Sequence, residues 1–454
     1  MGFAGFPNPL TFQFTWVQPY NLDIKVTPAA VVRPRTAEDI SGVVKCAAAS
    51  NVKVQAKSGG HSYGNYGLGG VDGAVVVDMV NFQHFSLENE TWLATVGAGT
   101  RLSDVYKKLH DAGQRAIPHA VCPGVGIGGQ ATIGGLGPMS RMWGSSLDHV
   151  VEVEVVTADG KIQRANALHN SDLFWALKGA GAGFGIITEF VFRTHPEPGD
   201  VVQYEYTLAF GTQAEIAPYY LAWQNLIADP GLDRRFGSIF IMMPLGAIIV
   251  GDFYGTEDEF RATGIPNALP EGSRRHIVLN DWLGSLVNGA QMEGLFLTNT
   301  PAPFYAKSLA FKREDLPSAD KVNALFQWVD AQNKATLLWF IIFDASGGAV
   351  GDVPANATSF AHRDKILYYQ SYAVGLPLAQ ASKDFITNFH NQVLASCESA
   401  YGTYPGYVDP ALADAQQQYW GANLPALQKL KTRWDPNDLF HNPQSVGRAE
   451  EIAV

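Results

Sequence analysis

The sequence predicts an α+β fold in two packed domains, and three observations carry that reading. The chain has 454 residues, 46% apolar and 17% charged, a composition that fills more than one core and does not suit a disordered chain. Up to residue 195 short helical and strand patterns alternate. After Pro196 and Pro198 longer alternating strands, 239–242 and 338–343, stand among helices such as 321–333, and the domain boundary is placed there.

Taken in order, Thr36 followed by Glu38 and Asp39 predicts a helix N-cap with an acidic first turn, leading into Ile40, Val43, Val44 and Ala47 at helical spacing. Residues 52–56 alternate as a strand. They run into Lys57-Ser58-Gly59-Gly60-His61-Ser62-Tyr63-Gly64, whose paired glycines permit positive φ and leave N–H groups uncovered for an anion such as phosphate. Strands at 74–78 and 92–96, a helix over 103–112 and a hairpin turning at Ala158-Asp159-Gly160 continue the pattern. Asn170 or Ser171 caps a helix through Leu177, and Asn423-Leu424-Pro425 opens another with Leu424, Leu427 and Leu430 on one face.

A formal net charge of -11 and a pI near 5.5 repel nucleic acid and anionic lipid, so a small neutral partner is expected. The most apolar stretch, 239–250, is broken by Pro244 and Gly246 and is too short to span a bilayer, which predicts a soluble protein. Residues 1–9 show no secretory signal pattern, and Phe6 stands where a myristoylation signal needs Ser or Thr. Two sequons, at Asn89 and Asn356, nevertheless lean the reading toward a secreted glycoprotein. Cys46, Cys122 and Cys397 allow at most one internal disulfide, which leaves a thiol for another use.

The densest glycine run extends from His119 through Cys122, Gly124, Gly126, Gly128 and Gly129 to Gly137, and lets backbone lie flat against a planar or anionic ligand. Gly124, Gly126 and Gly129 satisfy G-x-G-x-x-G, but the run follows Cys-Pro and is expected to open no helix, so it is a weak dinucleotide fingerprint. Alone, Cys122 reads as a small buried hydrophobe and His61 as a hydrogen-bonding loop residue. A second phosphate-like loop, 179–185, accompanies them.

These features occur with Arg33-Pro-Arg-Thr-Ala-Glu-Asp39, Asp172-Leu-Phe-Trp-Ala-Leu-Lys178 and Tyr419-Trp-Gly-Ala-Asn-Leu424, ordered along nearly the whole chain. Together they resemble the berberine-bridge-enzyme group of the vanillyl-alcohol-oxidase flavoproteins, particularly the fungal oligosaccharide oxidases. The resemblance implies a two-part FAD-binding domain, residues 1–197 and a returning C-terminal segment 405–454, around an α+β substrate domain, 198–404, with a large antiparallel sheet. It implies FAD bonded covalently through His61 at the 8α-methyl and Cys122 at C6. Ser58, Gly59, Gly60 and Ser62 would surround the pyrophosphate, with Lys57, Val125, Gly126, Gly128, Gly129 and Asn442 as further cofactor contacts. Two links retain the ring beside a wide cleft and make the flavin more oxidising. Val125, three residues after the cysteine and small, implies oxygen access and so an oxidase. No metal is implied.

Leu338, Phe340 and Ile342 share a strand face that ends in Asp344, and an acid there is costly unless partnered. It reads as a structural cap or as a functional acid, and the resemblance favours function. Tyr419 is the base the resemblance implies; free tyrosine titrates near pH ~10, so positive potential or hydrogen bonds must lower it, the alternative being core packing beside Trp420. The expected chemistry has Tyr419 and Asp344 take a proton from a substrate hydroxyl while hydride passes to flavin N5, dioxygen then giving hydrogen peroxide. Tyr63, Tyr305 and Gln370 are implied substrate contacts.

Several positions depart from that pattern. Ile239 and Ile241 stand where glucooligosaccharide-oxidase-like sequences carry Arg and Glu, and Phe340 and Ile342 where they carry Trp and Gln. Such a wall leaves sugar hydroxyls unpaired at about 1–3 kcal/mol each. Gln130 replaces a common His, Ile133 replaces a glycine, and the cysteine that the resemblance pairs with Cys46 in secreted members is missing, as in a processed or truncated chain. Three readings follow: a monomeric oxidase of a carbohydrate or polyol, an oxidase of an aromatic or terpenoid alcohol, and a flavin-free carbohydrate-binding protein. The joint presence of His61, Cys122, Asp344 and Tyr419 argues against the third.

Overall fold

A computed structural model describes residues 3–8, 11–270, 274–295 and 300–449. The Thr36 cap forms as a capping box: the Thr36 hydroxyl accepts from the Asp39 N–H at 3.2 Å, and the Asp39 carboxylate accepts from the Thr36 N–H. The helix it starts, Ala37–Ala49, buries Ile40, Val44 and Ala47. Val54–Lys57 and Ala30–Val32 flank Val75–Asp78 in parallel, and Ala4–Gly5 adds an antiparallel edge. This small sheet aims the end of Val54–Lys57 at the glycine loop 58–64.

A second sheet is antiparallel throughout, in the order Phe85–Leu87, Leu93–Gly97, Ile186–Arg193, Val150–Val156, Ile162–Asn166. The hairpin at 158–160 joins its last two strands. The run after Cys122 differs from expectation: Gly126 is the N-cap of a short helix, Ile127–Ile133. Ile127 and Ala131, one turn apart, are buried in the core, and that burial outweighs the poor helix propensity of the two glycines inside the helix, Gly128 and Gly129.

Beyond Pro198 lies a seven-stranded antiparallel sheet, in the order Arg274–Asp281, Asp200–Leu208, Gly246–Tyr254, Phe236–Met243, Trp339–Ala345, Leu367–Val374, Phe304–Phe311. Period-two alternation divides its residues. Phe240, Ile341, Phe343 and Tyr369 pack with Tyr220, Phe326 and Phe389 from the helices Ala217–Ile227, Ala319–Ala331 and Gln380–Ser396. Ile241, Ile342 and Tyr372 form a smaller cluster on the opposite face, toward the glycine loops.

The chain then returns to its first half. Leu427, Phe440 and Val446 share a core with Val54, Val96 and Phe190. Helix Leu424–Trp434 carries the fully buried Lys431, whose ammonium donates to Gly183 O and Phe440 O, both at 2.8 Å, and to Asp435 Oδ2 at 2.7 Å. Three donors meet these acceptors, and Asp438 Oδ1 also lies 3.0 Å from the ammonium, so the buried charge is satisfied. Lys431→Met strands the Asp435 carboxylate, and the Asp438 carboxylate 3.0 Å away, without their cation and should lower unfolding free energy by about 3–5 kcal/mol in denaturant titration. Adding Asp435→Leu should recover little of it, because Asp435 also accepts from the buried Leu439 and Phe440 N–H groups. A single-variant loss below ~1 kcal/mol would contradict this account of the clasp.

Candidate active site

A cavity of about 720 Å³ opens between the glycine loops, the seven-stranded sheet and the C-terminal segment. Lys57, Ser58, Gly59, Gly60, His61 and Ser62 line it from one side, Cys122, Val125, Gly126, Gly128 and Gly129 from a second, and Asn442 from the C-terminal segment. The two loops touch. A Cβ on Gly59 would lie 2.2 Å from Gly126 N, and one on Gly126 would lie 2.0 Å from Ser58 Oγ, so neither position admits a side chain. Gly60 has φ of 76°, the left-handed conformation that turns the loop inward.

This contact brings His61 Nδ1 to 3.9 Å from Cys122 Sγ. Tyr20 packs on the imidazole with ring centroids 4.5 Å apart. Burial, and secondarily the positive charge of Arg101, pushes the His61 imidazole down to about 4, so it is neutral at physiological pH. A neutral imidazole and a cysteine that can ionise to its thiolate are nucleophiles, and bare glycine backbone beside them leaves room for a flat ring and for phosphate oxygens. The residues present therefore fit a flavin nucleotide.

Opposite them, the half-buried Asp344 accepts a hydrogen bond from the Tyr407 hydroxyl at 3.1 Å. Tyr407 stacks 6.3 Å from Tyr63, whose hydroxyl donates to Gln370 Oε1 at 3.3 Å. Burial first, and the Asp344 charge second, hold the Tyr407 phenol well above the usual tyrosine range. The expected pairing of Tyr419 with Asp344 is not formed. Tyr419 lines the cavity from helix Ala415–Trp420, but its hydroxyl donates to Gln444 Oε1 at 2.9 Å, and burial raises its pKa instead of lowering it. Gln444 Nε2 in turn donates to Asp409 O at 2.7 Å, so Tyr419 braces the segment that carries Tyr407. The tyrosines of 404–407 and the acid Asp409 before Pro410 were the available signal for this segment.

Ile239, Ile241, Ile342 and Gln370 line the cavity as well, with Ile239 in register opposite Asp344. Two expected substrate contacts do not. Tyr305 points away: its neighbours Phe304 and Ala306 occupy the cavity face, so strand alternation sends Tyr305 to the helix side, where its hydroxyl bonds Thr387 at 3.2 Å. Phe340 shares the face of Ile342 but stands behind Tyr372, ring centroids 5.1 Å apart, and it is Tyr372 that meets the cavity. Gln130, at one of the divergent positions, is anchored by its Nε2 on Ser146 Oγ at 2.6 Å.

The family description "FAD binding domain" matches residues 28–166 and "Berberine and berberine like" matches residues 403–447. FAD-linked oxidoreductase sorD of Penicillium rubens is 38% identical over 98% of this chain and 95% of its own. Xylooligosaccharide oxidase from Myceliophthora thermophila C1, solved with xylobiose, superposes with a TM-score of 0.89 at 31% identity, covering 98% of this chain and 97% of that one. A glucooligosaccharide oxidase from Acremonium strictum, described with 6-S-cysteinyl, 8α-N1-histidyl FAD, gives 0.87 at 29% identity over 98% and 97%. Fold and site thus define an FAD-linked oxidoreductase. The chain belongs to the berberine-bridge-enzyme-like flavoprotein family, and FAD is its cofactor.

One arm of the cavity was not anticipated. Gln203 Nε2 donates to Asp252 Oδ1 at 2.8 Å, and both line the arm with Glu205 and Asn288. Burial pushes the Asp252 carboxyl up to about 6, against the opposing pull of Gln203. Its folded pKa lies above the unfolded value, so the folded state binds the proton more tightly and stability falls as pH rises from about 4 through 6. Asp252→Asn should therefore gain about 1–3 kcal/mol over wild type between pH 4 and pH 8 in denaturant titrations. A gap that stays constant across those pH values would contradict the assignment.

Proposed function

We propose that this chain is an oxidase that removes hydride from a hydroxyl-bearing carbon of a carbohydrate or polyol, and that its FAD is held by His61 and Cys122. The observation that carries the proposal is the Tyr407–Asp344 hydrogen bond facing the same cavity as the paired nucleophiles. FAD, when bound, accepts the hydride and passes its electrons to dioxygen, giving hydrogen peroxide. Val125, small and cavity-lining, leaves room for dioxygen.

The protein's own part is proton management. Tyr407, kept neutral, takes the proton of the substrate hydroxyl as it gives its own to the Asp344 carboxylate, so no isolated phenolate has to form in the dry cavity. Tyr63 and Gln370, already bonded to each other, can exchange that contact for substrate oxygens. Tyr368 and Tyr372 offer further aromatic faces.

Support for a carbohydrate comes from relatives named as xylooligosaccharide, carbohydrate, glucooligosaccharide and chitooligosaccharide oxidases. A second reading, an aromatic or terpenoid alcohol, is favoured by the aliphatic wall of Ile239, Ile241, Val250 and Ile342, which rewards no sugar hydroxyl. Extracellular residence is part of the proposal: Asn89 and Asn356 both lie exposed, where glycosylation is sterically open.

A peroxide-coupled screen of xylobiose, cellobiose and sorbitol against cinnamyl alcohol and geraniol separates the two substrate readings by kcat/KM. On the better substrate, Tyr407→Phe should lower kcat by about 10²–10⁴ with the flavin spectrum retained, while Tyr419→Phe costs less than tenfold. The reverse ranking would reassign the base to Tyr419.

A further inference from the structure

The two residues proposed to hold the flavin lie on separate loops, and one side chain joins those loops. Arg101 Nη1 donates to Gly59 O and to Gly124 O, each at 2.5 Å. The backbone beside it closes the same junction: Leu102 N donates to Val125 O at 2.9 Å and Ser103 N to Pro123 O at 3.1 Å, and Arg101 forms an antiparallel bridge with Gly126. The fit has little slack, since a Cβ on Gly59 would come within 3.0 Å of Arg101 Nη1. Gly59 lies two residues before His61, and Gly124 two residues after Cys122.

We infer that Arg101 is the positioning residue for covalent attachment of the flavin, clamping the His61 loop to the Cys122 loop and fixing a positive charge beside both nucleophiles. The inference rests on the two-link reading above.

A fixed cation acts on the two groups in complementary ways. It disfavours the imidazolium, keeping the His61 lone pair free, and it favours the thiolate over the thiol, which is the nucleophilic form of cysteine. Burial already keeps His61 neutral, with Arg101 adding to it, so the histidine depends on the charge only weakly. The thiol has more to gain. Asp78, Asp104 and Cys122 favour the charged form of Arg101 against its own burial, and Lys57, itself near Arg33, is a second cation in the neighbourhood.

The chemistry balances with FAD and dioxygen as the co-reactants. At C6 the bond to hydrogen breaks and a bond to sulfur forms; from the thiolate this releases one proton and two electrons. At the 8α carbon a bond to the imidazole nitrogen replaces a bond to hydrogen, releasing two protons and two electrons. Each electron pair, with two protons, reduces one dioxygen to hydrogen peroxide; in the sulfur step the second proton is the one the Cys122 thiol gave up on ionising.

The test is peptide mapping by tandem mass spectrometry of the purified proteins after denaturation and iodoacetamide treatment. Wild type should give one flavin joining the His61 and Cys122 peptides. In Arg101→Gln, which keeps a hydrogen-bond donor and loses the charge, at least half of the molecules should carry flavin on His61 alone with Cys122 alkylated. Arg101→Lys, which restores the charge but not the two-carbonyl reach, should recover at least half of the lost cross-link. Should Arg101→Gln fail to fold, Arg101→Lys carries the test by a free Cys122 fraction above that of wild type. A wild-type degree of cross-linking in every folded variant overturns the inference while leaving the two-link reading intact; flavin on neither residue in wild type overturns both.

Discussion

The whole site depends on two glycine loops meeting without an intervening side chain. Only because Gly59 and Gly126 lack Cβ atoms do the two backbones approach closely enough to bring His61 within 3.9 Å of Cys122. Each loop is held from behind by a different element: the first extends from a parallel strand, and the second leads into a short helix packed on the core. A shift of that strand or of that helix would separate the nucleophiles, so the packing of the FAD-binding half is itself part of the chemistry.

The seven-stranded sheet supplies the other wall, and its alternation decides what that wall contains. One face is committed to aromatic packing against three helices, which leaves the other free to vary without loss of the fold. On that free face an aliphatic strip flanks the Asp344 carboxylate. Asp344 is tolerated there because Tyr407 reaches it from the C-terminal segment, which is fastened in turn by Lys431, Gln444 and the core contacts of Leu427 and Phe440.

Much of this was legible in the residues. Capping at Thr36, the hairpin at 158–160 and the change of texture after Pro198 are local signals and appear where expected, and the motifs around His61 and Cys122 named the cofactor. What was not legible depended on direction and distance. Tyr305 and Phe304 differ by one residue, and without the register nothing says which faces the cavity. Tyr419 and Tyr407 both precede the final helix and both reach the cavity; only three-dimensional placement shows that Asp344 meets Tyr407 and that Gln444 takes Tyr419. The pairing of Gln203 with Asp252 joins neighbouring strands 49 residues apart in the chain and left no periodic trace.

The most direct test of the central claim is where the flavin goes when the fold is destroyed. Acid precipitation of the purified protein, followed by absorbance of pellet and supernatant and by intact mass, should leave the yellow colour in the pellet and a polypeptide heavier by one FAD. Colour that passes wholly into the supernatant, with a polypeptide at its unmodified mass, would show that His61 and Cys122 do not hold the ring.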